Sequence, residues 1–221
     1  KDAVKLRSKL AFENAKKINN TQSYKDFIET YPGAEEIKDA KWQYEFALFN
    51  SMTIPNSVET YQAFIKQFPK SSYLWQAEDS IFAFSTRHET IEEYQEFIKK
   101  HGDNHRVKKA WDMIYSLSTI DFSPSVIESF LLHYPDFPDK QRVKADLEHA
   151  RTRLYLVKQE GKWGYIDSIG QIRIPCTYDW ADDFSEGFAA VFRDDKAGYI
   201  NKAGNILFPL VYDEANSFHH G

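Results

Sequence analysis

Tyr61-Gln-Ala-Phe-Ile-Lys-Gln-Phe-Pro-Lys-Ser-Ser-Tyr-Leu-Trp-Gln-Ala-Glu-Asp-Ser-Ile81 reads as two helices folded back on each other. Tyr61, Phe64, Ile65 and Phe68 fall at i, i+3, i+4 and i+7, one face of a helix. Pro69 stops that helix, because proline restricts the residue before it and has no backbone N–H to donate. Ser71 or Ser72 is placed to accept from the first free N–H groups of a second helix, in which Leu74, Ala77 and Ile81 share a face. One such hairpin cannot bury its apolar face alone, so neighbours must cover it.

The chain supplies those neighbours. The first-helix face recurs as Tyr24, Phe27, Ile28, Tyr31; Tyr94, Phe97, Ile98, His101; and Ile127, Phe130, Leu131, Tyr134. A breaker follows each copy at Pro32, Pro69, Gly102 and Pro135. The second-helix face recurs as Ile37, Ala40, Tyr44; Val107, Ala110, Ile114; and Lys140, Val143, Leu147, where only Lys140 departs. Phe27, Phe64, Phe97 and Phe130 are separated by 37, 33 and 33 residues, and the longer first interval is assigned to a wider loop at Asn50–Pro55. Asn56 with Glu59, and Thr90 with Glu93, have capping-box spacing. Ser123-Pro124 places a cap before a proline at the first helical position. Residues 3–18 read as one further helix, placed to be the second helix of a preceding unit.

These four copies resemble the tetratricopeptide repeat, whose helix A carries large residues at its first, fourth and eighth pattern positions and whose helix B carries a small one. Ala40, Ala77 and Ala110 occupy the small position. Ile28, Ile65, Ile98 and Leu131 stand where that family usually has glycine or alanine, so looser A–B packing is expected. The Phe-Ile-x-x-Phe/Tyr-Pro variant resembles the repeats of bacterial outer-membrane lipoproteins. The resemblance covers residues 1–150 and implies an α-solenoid whose concave groove, lined by A helices, holds a peptide or partner domain. The family's register puts Lys25, Glu29, Gln62, Lys66, Gln95 and Lys99 on the groove, with Gln62/Lys66 and Gln95/Lys99 stacking into a polar ladder. The plainer reading of each residue is the solvated face of an amphipathic helix.

After Ala150 the helical period disappears, and residues 151–221 are expected to form a separate β domain. Leu154–Val157 is β-rich, and from there the chain repeats itself at a shift of 34. Gly164, Tyr165, Ile166 and Gly170 map to Gly198, Tyr199, Ile200 and Gly204; Pro175, Tyr178, Asp179, Ala181 and Phe184 map to Pro209, Tyr212, Asp213, Ala215 and Phe218. Each copy reads as a β-hairpin whose second turn, at Gly170 or Gly204, leads into Ile172–Ile174 or Ile206–Phe208, and glycines at both turns permit positive φ. Lys162-Trp163-Gly164-Tyr165-Ile166 resembles the core of the bacterial WG repeat, from which the second copy departs at Ala197. Gly187 maps onto Gly221, where a third copy would begin, so a truncated β region with an unpaired edge is expected. The fold class expected is thus α+β in separate domains, helical hairpins followed by β-hairpin repeats.

Bulk properties exclude several functions. Net charge is −5 and evenly spread: residues 151–221 carry 8 Lys/Arg against 10 Asp/Glu, and residues 1–150 carry 20 against 23. Neither part offers a basic nucleic-acid surface. The single Cys176 excludes an internal disulfide and a multi-cysteine metal site. No apolar run approaches the roughly 20 residues that span a bilayer. The numbering begins at Lys1 rather than Met, which leaves room for an upstream signal peptide or lipoprotein leader, and the bacterial envelope or periplasm is the compartment expected ahead of the cytoplasm.

The chemical candidates are weak. His101 and His105 have the i, i+4 spacing of a metal pair, but Gly-Asp-Asn lies between them and His101 falls on a packing position. Asp182/Asp183 and Asp194/Asp195 sit beside turns and read as solvated. Cys176 has no nearby histidine to serve as base. Trp163, Tyr165, Trp180 and Tyr199 read as the filling of thin β layers ahead of a sugar-stacking face. No catalytic residue, cofactor or metal ligand is therefore assigned. The function expected is a non-enzymatic protein- or peptide-binding scaffold. The alternative is envelope carbohydrate or peptidoglycan binding through the β repeats, and an enzyme would need catalytic residues outside this stretch.

Overall fold

The apolar faces read from the sequence are the faces that are buried. In the computed structural model, which describes residues 2–216, the helices are α1 (Asp2–Ile18), α2 (Thr21–Thr30), α3 (Ile37–Met52), α4 (Val58–Gln67), α5 (Leu74–Ser85), α6 (Ile91–Lys100), α7 (Val107–Ser118), α8 (Pro124–His133) and α9 (Lys140–Arg151). Tyr24 and Phe27, Tyr61 and Phe64, Tyr94 and Phe97, and Ile127 and Phe130 are all buried, and Ala40, Ala77 and Ala110 are wholly excluded from solvent. None of these helices is long and apolar enough to cross a membrane. The chain divides into two compact units at Ala110/Trp111.

In the first unit each of α1 to α5 packs on its successor. The contact that repeats is one ring near the end of a B helix set against the next A helix. Phe49 meets Phe64 edge-to-face at 5.1 Å and 82°. Phe82 meets Phe97 at 5.0 Å and 86°, and Phe12 meets Phe27 at 5.2 Å in a tilted arrangement. In the second unit Tyr115 meets Phe130 at 4.8 Å and 77°. Each pair is 15 residues apart in the chain, including the first interval, so the extra residues do not lie in a loop at Asn50–Pro55. They lie in α3, which has 16 residues where α5 and α7 have 12. Four residues are about one helical turn, so the ring stays on the same face.

The caps follow their own repeat. Ser57, not Asn56, caps α4: its hydroxyl accepts from Thr60 N–H, and the Thr60 hydroxyl accepts from Ser57 N–H. Asn20 and Ser23 form the same box on α2. Asn56 instead accepts from the Tyr61 hydroxyl at 2.5 Å, as Asn19 does from Tyr24 at 2.8 Å. Thr90 caps α6 as expected, while the Glu93 carboxylate turns to His88. Ser123 caps α8 with Pro124 at its start. Ahead of α5, Ser71 accepts from Tyr73 N–H, and Ser72 donates to Glu45.

Among the described residues, the second unit joins residues 111–118 of α7, α8 and α9 to seven strands: β1 (Tyr155–Gln159), β2 (Lys162–Ile166), β3 (Ile172–Tyr178), β4 (Trp180–Ala181), β5 (Phe188–Arg193), β6 (Lys196–Asn201) and β7 (Ile206–Tyr212). They form two antiparallel sheets, β1-β2-β3 and β4-β5-β6-β7. Each copy is a three-stranded meander, whose third strand runs past the expected ends at Ile174 and Phe208 to Tyr178 and Tyr212. One core serves both sheets, built from Leu154, Tyr165, Ile174, Tyr178, Ala181, Ala189, Val191 and Ile200. Two side chains bring the strands onto the helices: the Asn201 amide donates to Ile120 C=O at 3.2 Å, and Lys202 Nζ donates to Ala150 and Thr152 C=O at 2.9 and 3.2 Å. This is why helical periodicity ends near residue 151 while the compact unit begins at 111.

The glycine after Trp163 has a steric task. A Cβ on Gly164 would lie 2.6 Å from Ile174 O and 2.7 Å from Cys176 N, and one on Gly198 would lie 2.6 Å from Phe208 O. In both copies the third strand bulges there: Trp163 pairs with Tyr178 and Tyr165 with Ile174, and Ala197 pairs with Tyr212 and Tyr199 with Phe208. The bulge carries Pro175 or Pro209 and pushes its backbone onto the glycine. Of the first turns, only Glu160-Gly161 uses glycine; Asp194 and Asp195 hold positive φ in its place.

Gly164→Ala is expected to destabilise the second unit by about 1–3 kcal/mol or more, because the atoms it meets are backbone. Gly33→Ala, whose Cβ meets nothing within 4 Å, should leave melting nearly unchanged; equal melting of the two variants would refute the steric account. Ala77→Trp should likewise cost about 1–3 kcal/mol or more, while Ala63→Trp, on the exposed side of α4, should not.

Candidate functional site

The six residues assigned to the groove are all exposed. They stand one and five positions after the buried tyrosine of each A helix, which turns them away from the core. Lys25 and Glu29 on α2 form a 4.0 Å ion pair. On α4, the Gln62 amide lies 3.4 Å from His101 Nδ1. Lys66, Gln95 and Lys99 make no hydrogen bond or ion pair among the described residues. Gln62 therefore reaches His101 rather than Gln95, and the Gln/Lys positions stand as separate exposed groups instead of a bonded ladder.

A second polar series was not anticipated. It links each B helix to the next inter-helix turn. Lys5 pairs with Glu35 at 2.5 Å, and the Ser8 hydroxyl donates to Glu36 at 3.3 Å. Glu45 accepts from the Ser72 hydroxyl at 2.6 Å. His105 bridges Glu78 at 2.5 Å and Asp79 at 2.9 Å, and Arg106 forks onto Asp79 at 2.5 and 2.9 Å. In the second unit Arg142 donates to Asp112 at 3.0 Å. The signal lay in the spacing, since Glu45 and Glu78, like Asp79 and Asp112, are 33 residues apart. The Arg106 hydrogen bond is the main force holding the Asp79 carboxyl below the usual range. The two histidines of the sequence pair have separate surroundings: His105 sits among these carboxylates, whereas His101 packs on Phe97 at 5.3 Å and burial lowers its pKa.

The β copies share three polar devices. Lys162 pairs with Asp179, and Lys196 with Asp213 at 2.6 Å. The Tyr165 hydroxyl donates to Asp182 C=O at 2.7 Å, and Tyr199 to Asn216 C=O at 2.9 Å. Asp167 accepts from the N–H groups of Ile169 and Gln171, as Asn201 does from Ala203 and Asn205. The spare side of that residue differs with its chemistry. The carboxylate accepts from Arg173 at 2.9 Å, and the amide donates to Ile120 C=O.

The four aromatics weighed as a sugar face do not share one surface state. Tyr165 is wholly buried, Trp163 packs half-buried on the core under Lys158 at 5.2 Å, Tyr199 is half-buried, and Trp180 is exposed. The Cys176 thiol is half-buried, 3.9 Å from Val157 C=O. Asp182 accepts from Asp183 N–H, and Asp194-Asp195 forms the β5–β6 turn. His219 and His220 lie outside the described residues.

Among the described residues, grooves in each unit have the volume for a side chain or a short peptide stretch. In the first unit about 620 Å³ opens between the start of α1 and the Thr30–Glu36 turn, and about 430 Å³ between α3 and the Gln67–Ser71 turn. These two are repeat-equivalent. In the second unit about 380 Å³ lies among Tyr115, Arg142, Asp146, Asn201 and Asn205. Arg142 lies 4.8 Å from the Tyr115 ring, whose hydroxyl donates to Asp146 at 2.8 Å. Its polar groups are thus engaged with one another. In the same unit His149 stacks edge-to-face on Phe122 at 5.7 Å, and its Nε2 is buried with no partner among the described residues. Burial, with Arg173 and Lys202 against Asp146, pushes the imidazole pKa down.

That depression fixes a sign. The unfolded histidine takes up a proton near about pH 6.5, whereas the folded one resists it to lower pH. The neutral ring therefore contributes fully above about 6.5, and stability falls as pH drops below that value toward the folded pKa. Melting of the second unit should decline between about pH 7.5 and about pH 5.5, and His149→Phe should flatten that decline; an equal decline in the variant would clear His149.

No curated protein matches the chain. The family model of the WG containing repeat matches residues 163–196 and 198–221, the two stretches in which the bulge-seating glycines and the Asp167/Asn201 turns recur at a shift of 34.

Proposed function

We propose that the protein is a non-enzymatic binding scaffold: a tetratricopeptide-like helical array, continued by WG β repeats, that holds a protein or peptide segment along the exposed side of its A helices. The observation that carries this reading is the state of Lys66, Gln95 and Lys99, which are exposed and without hydrogen-bond or ion-pair partners among the described residues. The polar groups of the inter-helix series are by contrast engaged with each other. Long amide and ammonium side chains at repeating positions suit hydrogen bonding to an extended backbone, and the lysines favour an acidic segment. The titratable clusters elsewhere have structural tasks, such as Asp79 on Arg106 and Asp179 on Lys162.

The test begins with affinity capture and mass spectrometry to find a partner, followed by Lys66→Glu with Lys99→Glu in the full chain. Affinity for an acidic segment should fall well beyond tenfold, and the deficit should shrink as salt rises. Unchanged affinity, with binding abolished by substitution of exposed Trp180, would move the function to the β repeats and favour a carbohydrate ligand.

A further inference from the structure

Two successive junctions of the first unit are tied differently. After α6 the turn is joined to α5 by long polar side chains. The Asn104 amide donates to Glu78 C=O at 3.1 Å, His105 meets the Glu78 carboxylate at 2.5 Å, and Arg106 forks onto Asp79. At the preceding junction, 33 residues earlier, the places of Asn104, His105, Arg106, Glu78 and Asp79 are held by Ser71, Ser72, Tyr73, Glu45 and Phe46. The Ser71 hydroxyl turns back to accept from Tyr73 N–H at 3.2 Å. Ser72 keeps the tie to Glu45, donating from its N–H and its hydroxyl at 3.2 and 2.6 Å. The ion pair of Arg106 with Asp79 becomes a ring contact, Tyr73 with Phe46 at 5.9 Å. Beside this sparser tie lies the groove of about 430 Å³ between α3 and the Gln67–Ser71 turn.

The walls of that groove divide by chemistry. Tyr44, Leu48, Phe68 and Pro69 supply an apolar floor. Lys41 on α3 and Lys70 in the turn also line it; both are exposed, and neither makes a hydrogen bond or ion pair among the described residues. The carboxylate that lines it, Glu45, is engaged by Ser72. An apolar floor beside two cations with no counter-ion is complementary to an apolar side chain carried among carboxylates. The repeat-equivalent opening beside α1 lacks that bias, because there Lys5 is neutralised by Glu35.

We infer that the α3 groove is a docking site for an acidic peptide segment, which seats one large apolar side chain on Tyr44, Leu48, Phe68 and Pro69 and turns its carboxylates to Lys41 and Lys70. The seated side chain supplies affinity by leaving water, and the lysines select the charge of the residues around it. This is a site apart from the exposed A-helix row, since none of the six residues assigned to that row lines the groove.

The test pans a random peptide library on the full chain. Enriched peptides should carry a large aliphatic or aromatic residue within two positions of Asp or Glu. A synthetic peptide of the enriched sequence should shift the Leu48 methyl resonances. Its affinity should fall by about tenfold or more when its apolar residue is replaced by Ser, and likewise with Lys41→Gln plus Lys70→Gln in the protein, which removes charge without adding repulsion. The loss from the lysine exchange should shrink as salt rises, and the loss from the Ser exchange should persist. Absence of enrichment, enrichment of Lys- or Arg-rich peptides, or an unmoved Leu48 signal would overturn the inference. So would affinity that survives the Lys41/Lys70 exchange; if that affinity instead falls with Lys66→Glu plus Lys99→Glu, the A-helix reading stands without this one.

Discussion

One aromatic contact sets the spacing of the helical units. Phe49 on Phe64, Phe82 on Phe97 and Tyr115 on Phe130 are edge-to-face pairs from the end of one B helix to the middle of the next A helix. Each contributes about 0.5–1.5 kcal/mol beyond the area it buries. The residues around them vary, and the 15-residue interval does not. A threonine four residues after each ring closes the helix by donating to that residue's carbonyl: Thr53, Thr86 and Thr119, at 2.8, 2.8 and 2.7 Å. The next position in the series is Glu148, exposed, with Thr152 still in place as its cap. A carboxylate cannot fill the ring's place in an apolar seat. There the helical pattern stops, and Lys202 takes up the free carbonyls at the end of α9.

The β copies rest on a different constraint, the missing Cβ. The third strand of each meander lies so near Gly164 or Gly198 that any side chain there would strike backbone. Around that fixed approach the copies tolerate change. Trp163 becomes Ala197, and Asp167 becomes Asn201. The second exchange redirects a contact: a carboxylate can only accept, so it takes Arg173, while an amide can donate, so it reaches Ile120 C=O. One substitution within the repeat thereby ties the β strands to the helices of their unit.

What was legible in the sequence was what depends on local period. The buried pairs Tyr24/Phe27 to Ile127/Phe130, the small Ala40, Ala77 and Ala110, and the Lys-Trp-Gly-Tyr-Ile core all stand at fixed intervals. The ring series escaped because it lies nine residues after Ala40 but five after Ala77 and Ala110, the added turn of α3 hiding its register. Asp167 and Asn201 escaped because a charged and a neutral residue do not look like one position. The third strand of each copy was cut short at Ile174 and Phe208 because proline reads as an end, whereas here it marks a bulge. Of the six residues assigned to the groove, the exposure of Lys66, Gln95 and Lys99 was legible; the Gln62–His101 contact, 39 residues apart, was not.

Exposure in a repeat protein is a property of the neighbour more than of the residue. Ile174 and Phe208 occupy the same position on the same strand, yet one is buried and the other nearly half-exposed. Both are equally apolar, so composition cannot separate them. The difference arises because β5 and β6 lie on the first copy, and their small side chains fit between its rings. Side chains of that size serve there because the bulky partner is supplied from the other side; two facing layers of rings would overfill the gap. The large and small positions within one 34-residue copy are thus complementary to those of the copy stacked on it. The rings of the first copy are the seat, and Ala189, Val191 and Ile200 of the second are the insert that fills it.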